Sequence, residues 1–179
     1  MTVESLEANY GIAGSFDAND ISEYYLDPVA LGYEHIIDFD HDFIGKDALR
    51  DKVENPDRTR VSFIWNDEDV IDIYASLFEP GESHKYLELP NPTVAGPVAH
   101  YDQIEKDGDP VGILKEFGYL YPERAMIGVG VIDVELAEPG TEVTIIHGQE
   151  QSPRPSVERH VNTEVRATVQ PSPLHKNRG

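Results

Sequence analysis

The spacing of apolar residues along the chain predicts two short helices in its first half. In residues 46–53 the apolar side chains share one helical face, and Pro56 ends the pattern because proline cannot continue a helix. Residues 70–78 have the same spacing, and either Asn66 or Asp67 is suited to cap the start of that helix. The acidic residues that follow the cap lie in the positive first turn, where they are favourable.

The remaining apolar runs have the length and composition of β-strands. Asp107-Gly108 lies between two such runs and predicts the tight turn of a hairpin. The predicted strands are residues 36–39, 60–65, 99–105, 111–117, 126–133, 142–147 and 164–170. Several short antiparallel strands with one or two helices favour an α+β chain built on a small β-barrel or sandwich, and closure into a barrel would remove the exposed strand edges.

The composition argues against several classes of protein. The 179 residues carry 34 acidic and 14 basic side chains, a formal net charge of −20, which disfavours binding to nucleic acid or to an anionic membrane face. Cysteine is absent, so no disulfide, thiolate nucleophile or cysteine-ligated metal is expected. No run approaches the ~20 apolar residues of a membrane span, and the first residues lack the pattern of a signal peptide. We therefore expect a cytoplasmic protein with no nucleic-acid or membrane partner.

Motifs that usually indicate metal or nucleotide chemistry are weak in this chain. Asp38, Asp40 and Asp42 would share one face of a strand, but such a row of carboxylates is more often solvated than metal-binding. Residues 17–28 fail the calcium-loop pattern because glycine and glutamate are missing at the required places. Gly128-Val-Gly130 lies inside a predicted strand, where close packing explains the glycines better than a nucleotide fingerprint does. No metal site is predicted, and these patterns assign no catalytic residue.

A set of motifs spread over the chain resembles the glycine-cleavage T-protein (aminomethyltransferase) family. The motifs are Leu-Glu-Ala at 6–8, Pro-x-x-x-Gly at 28–32, Phe-Ile-Gly-x-x-Ala-Leu at 43–49 and Glu-Pro-Gly-Thr-Glu-Val at 138–143. The details of residues 15–25, Gly32-Tyr33, Trp65-Asn66 and 75–78 are more similar to the family's tetrahydrofolate-dependent aryl O-demethylases, of the vanillate and syringate type, than to the glycine-cleavage enzyme.

The resemblance implies tetrahydrofolate as the cofactor, with N5 receiving a methyl group from an aryl methyl ether or a methylene unit from an aminomethyl carrier. Glu7 matches the family's pterin-binding glutamate, and a carboxylate can accept two parallel hydrogen bonds from the pterin edge. Tyr24, Tyr25 and Tyr33 are predicted to line the pterin or aryl pocket, or to protonate a departing phenolate. Core packing explains each tyrosine about as well.

The resemblance also implies a division of the chain. Residues 1–57 correspond to the tail of the family's folate-binding domain, and residues 58–179 to its C-terminal aminomethyltransferase β-barrel domain. Because the family's chains are far longer, we expect the C-terminal part of a methyl or aminomethyl transferase that is incomplete without an N-terminal half. An N-terminal partner chain or self-association is expected to complete it, and the expected substrate is a small aromatic methyl ether or an aminomethyl carrier. The alternative is a non-catalytic β-barrel module for binding or assembly.

Overall fold

The computed structural model describes residues 11–87, 89, 98–152, 155 and 157–174. Its two α-helices and eight strands follow in chain order: β1 Gly11–Ala13, α1 Lys46–Glu54, β2 Arg58–Trp65, α2 Asp67–Ser76, β3 Val98–His100, β4 Asp102–Lys106, β5 Asp109–Leu120, β6 Ala125–Asp133, β7 Glu142–His147 and β8 Thr163–Pro171. Short 3-10 turns lie at Ile21–Tyr24, Glu34–Ile36 and Val134–Leu136.

Six strands form a closed barrel in the order β2-β6-β5-β4-β7-β8, and every neighbouring pair is antiparallel. Strands β4 and β5 are joined by Asp107 and Gly108, both of which have positive φ (54° and 89°), as a two-residue hairpin turn of the right twist requires. Outside the barrel, β1 and β3 pair in parallel as a two-stranded sheet. The barrel and the small number of helices confirm the predicted fold class.

Alternate residues of the strands supply the apolar side chains of the barrel interior. On β2, Val61, Phe63 and Trp65 are at most 3% exposed, because successive residues of a strand face opposite sides. Valine, isoleucine and alanine from β7 and β8 complete the same apolar core. Helix α2 follows β2 directly and packs the fully buried Ile73 against this core.

A second, smaller core lies on the outer side of the barrel. Ile113 of β5 and Val131 of β6 are fully buried although they belong to a different cluster from the barrel interior. Phe16 and Ala30, from the segment before α1, cover them. The first part of the chain is therefore packed against the outer surface of the barrel, and this contact positions the tyrosines predicted to bind a ligand.

The predicted elements are mostly confirmed, with one clear correction. Both helices form, and Asn66 caps α2 by accepting hydrogen bonds from the backbone N–H groups of Glu68 and Asp69 (3.0 and 3.2 Å). The strand predicted at residues 36–39 is wrong: a 3-10 turn ends at Ile36, whose side chain is 69% exposed, and Asp38 accepts a local hydrogen bond from the N–H of Asp40. Without burial or a neighbouring strand, the local turn of Asp38 is preferred. The domain boundary after residue 57 stays a prediction.

The glycines of β6 allow β5 and β6 to approach closely, which supports the packing explanation of Gly128-Val-Gly130. A Cβ atom at Gly130 would press on the carbonyl oxygen of Ile113 and lie 2.9 Å from Cα of Leu114, so backbone would have to move. A Cβ atom at Gly128 would lie 3.0 Å from Nε1 of Trp65. Gly118 of β5 is different, because nothing lies within 4 Å of a Cβ atom built there.

We predict that Gly130→Ala lowers the free energy of unfolding by about 1–3 kcal/mol, because it overpacks a contact between two backbones. The matched control is Gly118→Ala, which should leave stability unchanged or raise it slightly, since alanine restricts the unfolded chain. Urea unfolding of both variants measures the difference. Equal stability of the two variants would show that the β5–β6 approach does not need glycine.

Candidate functional site

The three predicted tyrosines occupy different surroundings. Tyr24 ends the turn Ile21–Tyr24 and is partly buried beside the outer core. Tyr25, the next residue, is 72% exposed, and Tyr33 is 44% exposed. Glu7 lies outside the described residues, so its predicted contact with a pterin stays a prediction.

Tyr24 is engaged in local packing and hydrogen bonding. Its hydroxyl donates to the carbonyl oxygen of Phe16 (3.0 Å) and accepts from the N–H of Ala18 (3.3 Å). Its ring meets those of Phe16 and Tyr101 edge to face, with centroids 5.0 and 5.8 Å away. Because the hydroxyl proton is directed to a backbone carbonyl, Tyr24 is not poised to protonate a departing phenolate in this structure.

A cavity of about 280 Å³ lies beside Tyr24 at one end of the barrel. Its lining comes from the end of β1 and the loop after it, from Tyr24, and from the loop after β7. The residues are Ile12, Ala13, Gly14, Ser15, Phe16, Asp17, Tyr24, Gln149, Glu150, Gln151, Ser152 and Asn162. Gly148 begins the second loop with φ +138°, and a Cβ atom there would clash with the side chain of Asn162. The loop can therefore approach Asn162 closely only with glycine at this position.

A buried contact between a histidine and an aspartate supports the cavity from the barrel side. His147 Nδ1 lies 3.0 Å from Asp102 Oδ2, and the two side chains are 4% and 5% exposed. Asp102 also accepts a hydrogen bond from the N–H of Ser15 (3.2 Å), while the Ser15 hydroxyl donates to the carbonyl oxygen of Ile146 and accepts from the N–H of Gln103 (2.9 Å). The serine hydroxyl is thus bonded to backbone groups, so these residues tie the loop after β1 to the barrel.

Sequence reasoning missed Asp102 and His147, although a signal for them exists. Both follow the alternation that buries Ile104 on β4 and Ile145 on β7, so each is a polar residue at an interior position. The His147 ring packs against Trp65 and Phe117, with centroids 5.7 and 5.5 Å away. A buried polar residue at an apolar position requires a partner. Asp102 is the partner of His147 Nδ1, whereas His147 Nε2 is buried with no hydrogen-bond partner among the described residues.

The loop after β7 is held by an ion pair between Lys85 and Glu158. Lys85 is 5% exposed, and its Nζ lies 2.7 Å from Glu158 Oε1. Burial raises the pKa of Glu158, but the hydrogen bond from Lys85, a backbone hydrogen bond and nearby positive charge lower it more, so that the pKa lies below its usual value of 4.5. His160 accepts a hydrogen bond at Nε2 from the N–H of Gln149 (2.9 Å), which joins the two ends of the loop.

Tyr25 lines a different cavity, of about 400 Å³, on the outer face of β2. Its lining contains two ion pairs, since Lys52 binds Asp57 and Arg58 Nε lies 3.5 Å from Asp133, and the further acids Glu23 and Asp27 make the lining negative. The hydrogen bond from Lys52 lowers the pKa of the exposed Asp57 carboxyl.

Tyr33 lies beside the next outward-facing residue of the same strand. The guanidinium carbon of Arg60 is 5.8 Å from the centroid of the Tyr33 ring, within the range of a cation–π contact. Arg58 and Arg60 are two residues apart on β2, so both face away from the barrel interior. Tyr33 therefore contacts one outward arginine of β2, and Tyr25 lines the same cavity as the other; sequence reasoning missed both arginines.

A further cavity, of about 720 Å³, lies elsewhere, and its main cation is already paired. It is an open groove between the ends of β2, β4, β7 and β8. Arg166 is its most prominent cation, but Nη2 of Arg166 lies 2.7 Å from Asp69 Oδ1 and 3.1 Å from Asn66 Oδ1. The hydrogen bonds from Arg166 to Asp69 join α2 to β8, and the side-chain hydrogen bond from Arg166 also lowers the pKa of Asp69.

Within the described ranges, no group of three or more histidine or acidic side chains is arranged to hold a metal ion. The aspartates at positions 38, 40 and 42 do not form the strand face expected for them, since no strand covers these residues. No helix in the described part of the chain is long and apolar enough to cross a membrane.

The relatives found among known proteins include two whose names describe the transfer or removal of a one-carbon group. The chain is 36% identical over 171 residues to syringate O-demethylase of Sphingobium sp. (strain NBRC 103272 / SYK-6), covering 94% of this chain and 37% of the relative. It is 30% identical over 156 residues to sesamin methylene transferase of Sinomonas sp. (strain No.22), covering 83% of this chain and 34% of the relative. The chain thus spans about a third of the length of these relatives. No protein-family model matches it.

The fold is shared with a solved aminomethyltransferase. Glycine cleavage system aminomethyltransferase T from Bartonella henselae superposes with a TM-score of 0.50 over 84% of this chain and 32% of that chain, at 14% sequence identity. At this identity the similarity establishes the fold alone. Together with the two relatives, it confirms the resemblance predicted from the motifs, to the glycine-cleavage T-protein family and in detail to its aryl O-demethylases.

We predict that Glu158→Gln lowers the free energy of unfolding by about 1–3 kcal/mol near neutral pH, because it leaves the buried Lys85 charge without this carboxylate. This loss in the free energy of unfolding is smaller than that expected for a fully buried ion pair, since the Glu158 side chain is 35% exposed. A carboxyl with a depressed pKa stabilises the fold above its unfolded pKa, and this contribution is lost as the pH falls through the folded value.

The loss caused by Glu158→Gln should therefore shrink as the pH falls below 4.5. Urea unfolding at about pH 7 and about pH 3.5 measures it. Glu164→Gln, at an exposed position of β8, is the control and should change little at either pH. A loss that is the same at both pH values, or absent at neutral pH, would contradict the assigned role of the Lys85–Glu158 pair.

Proposed function

We propose that this chain is the C-terminal part of a tetrahydrofolate-dependent one-carbon transferase of the aryl O-demethylase type. In this proposal the barrel and the segment packed on it form one wall of the active site. The remaining part of an enzyme of about three times this length supplies the rest, either on the same polypeptide or as a partner chain. The proposed substrate is a small aromatic ether that donates a methyl or methylene unit.

The observation that supports the proposal most strongly is the similarity to two relatives whose names describe one-carbon transfer. One name describes removal of a methyl group from oxygen, and the other describes transfer of a methylene group. The syringate O-demethylase match extends over nearly the whole of this chain, so it includes the segment with the tyrosines as well as the barrel.

The described residues fit a tetrahydrofolate site in part. Tetrahydrofolate, when bound, supplies the nitrogen that accepts the one-carbon unit. The exposed rings of Tyr25 and Tyr33 are available to contact a pterin or an aryl ring, whereas the Tyr24 hydroxyl is engaged by Phe16 and Ala18. Glu7 would hold the pterin edge through its carboxylate, as the family motif implies. A catalytic proton donor is not assigned among these residues.

The alternative of a binding or assembly module is favoured by one observation. None of the nine residues of α1 is buried, and Ile44 just before it is fully exposed. Ile36 and Tyr25, at 69% and 72% exposure, add apolar surface in the same part of the chain. Exposed apolar side chains of this size suit contact with a partner, whether or not the chain binds folate.

The test is tetrahydrofolate binding, measured by isothermal titration calorimetry. We expect binding by the chain alone, or by its mixture with the first two thirds of a syringate O-demethylase, and we expect Glu7→Gln to weaken it at least tenfold. That factor corresponds to the loss of about 1.4 kcal/mol, a typical value for a hydrogen-bonded charge. Glu4→Gln, three residues earlier, is the matched control and should bind as the unchanged chain does.

Absence of binding in both settings would overturn the folate proposal. If the chain then associates with itself or with the added fragment in light-scattering measurements, the assembly role becomes the better account. If Glu7→Gln and the unchanged chain bind tetrahydrofolate with equal affinity, the chain binds the cofactor but Glu7 does not contribute to the binding.

A further inference from the structure

Arg60 is a partly buried cation that no carboxylate of the described protein neutralises. Arg58, two residues earlier on the same face of β2, pairs with Asp133, and Lys52 nearby pairs with Asp57. No ion pair from the residues that the structure describes reaches Arg60, in a chain that is rich in acidic residues. Its Nε is buried and makes no hydrogen bond, and an unpaired buried donor is unfavourable unless a ligand satisfies it.

The surroundings of Arg60 are ordered by local hydrogen bonds. The turn that places Tyr33 over Arg60 is held by Asp27, whose Oδ1 accepts from the N–H groups of Val29 and Ala30 (2.9 Å each). The N–H of Tyr33 donates to the carbonyl oxygen of Pro28 (2.8 Å). The backbone that carries Tyr33 is therefore held beside the guanidinium before any ligand arrives.

Gly32 completes the turn against the guanidinium. Its φ of +75° lies in the left-handed region that favours glycine, and a Cβ atom there would lie 3.5 Å from Nε of Arg60. The turn thus passes directly over the side chain and limits where Arg60 can move. A cation held in one orientation loses less conformational freedom on binding a ligand than a mobile surface arginine does.

We propose that Arg60 and Tyr33 form a binding site for the carboxylate of a small aromatic acid. A guanidinium binds a carboxylate through two parallel hydrogen bonds, and the partly exposed Tyr33 ring offers a surface for the acid's aromatic ring. A carboxylate has a single negative charge, so the net charge of −20 repels it less than it repels a phosphate dianion.

Two molecules could bring such a carboxylate to Arg60. Their identification rests on the proposed function. One is the aromatic acid that donates the one-carbon unit, and the other is the aminobenzoyl-glutamate part of the folate. Both present a carboxylate joined to an aromatic ring or close to one. The existence of the site does not depend on one-carbon transfer, since it follows from Arg60 and its surroundings.

The experiment measures the binding of benzoate and of 4-aminobenzoyl-glutamate to the full chain by NMR titration. The readout is the side-chain Nε–H resonance of Arg60 together with the dissociation constant, at physiological salt. We expect at least one of the two compounds to shift this resonance with saturation, and Arg60→Gln to weaken its binding at least fivefold. Tighter binding of benzoate indicates the substrate as the source, and tighter binding of 4-aminobenzoyl-glutamate indicates the folate.

Two further variants separate a specific site from general charge. Arg58→Gln removes a cation from the same strand face that is already paired with Asp133, so it should change the affinity by less than twofold. Arg60→Lys keeps the charge but loses the two parallel donors, so an intermediate affinity is expected. Equal weakening by Arg58→Gln and Arg60→Gln, or no saturable shift with either compound, would overturn the proposal.

These outcomes differ from failure of the proposed function. Loss of carboxylate binding in Arg60→Gln, in a chain that never binds tetrahydrofolate, would support the Arg60 site and not the folate proposal. Tetrahydrofolate binding that depends on Glu7 but is unaffected by Arg60→Gln, with no carboxylate binding, would support the function and overturn this site.

Discussion

The pairing of the first barrel strand with the last is the contact on which the rest of the structure depends. Strand β2 pairs with β8 from Val61↔Pro171 to Trp65↔Ala167, and on its other edge with β6. Without the β2–β8 contact the six strands would form an open sheet with two exposed edges. Closure buries Trp65 and Phe63 inside the barrel and leaves the alternate residues, Arg58 and Arg60, on its outer surface. The same contact therefore produces both the core and the surface on which a ligand site is proposed.

The segment before α1 depends on the barrel in turn. Phe16 and Ala30 cover Ile113 and Val131, and Ser15 is bonded to Asp102 and to the backbone of β4 and β7. These contacts are long-range in sequence, so the position of the segment depends on the barrel, whereas its short turns are held by local hydrogen bonds. Its short turns hold Tyr25 and Tyr33 near the outer face of β2. The division after residue 57 that the sequence predicts thus separates two parts that are packed against each other.

Much of the fold can be predicted from the sequence, because local physics decides it. Asn66 and the apolar spacing after it define α2, and Asp107-Gly108 defines the hairpin. The order of strands and the closure of the barrel arise from contacts between distant residues, which periodicity does not encode. The wrong strand at 36–39 has the same cause, since its apolar residues have no partner sheet to cover them. The site was predicted less well. The motifs identified tyrosines, but the importance of Arg60 depends on the absence of a neighbouring acid, and only the folded chain shows which acids are near.

The outer face of β2, with Tyr25, Tyr33 and Arg60, is the surface that we propose this chain contributes to a tetrahydrofolate-dependent transferase. The most direct measurement is a map of the backbone and side-chain NMR resonances of the labelled chain that tetrahydrofolate shifts. We expect the shifted resonances to be confined to residues 25–33 and to the outward residues of β2. The resonances of the outward residues of β7 and β8 should not change. Shifts centred on the groove beside Arg166, or no shifts at saturating tetrahydrofolate in the presence of the complementary two thirds of a relative, would contradict it.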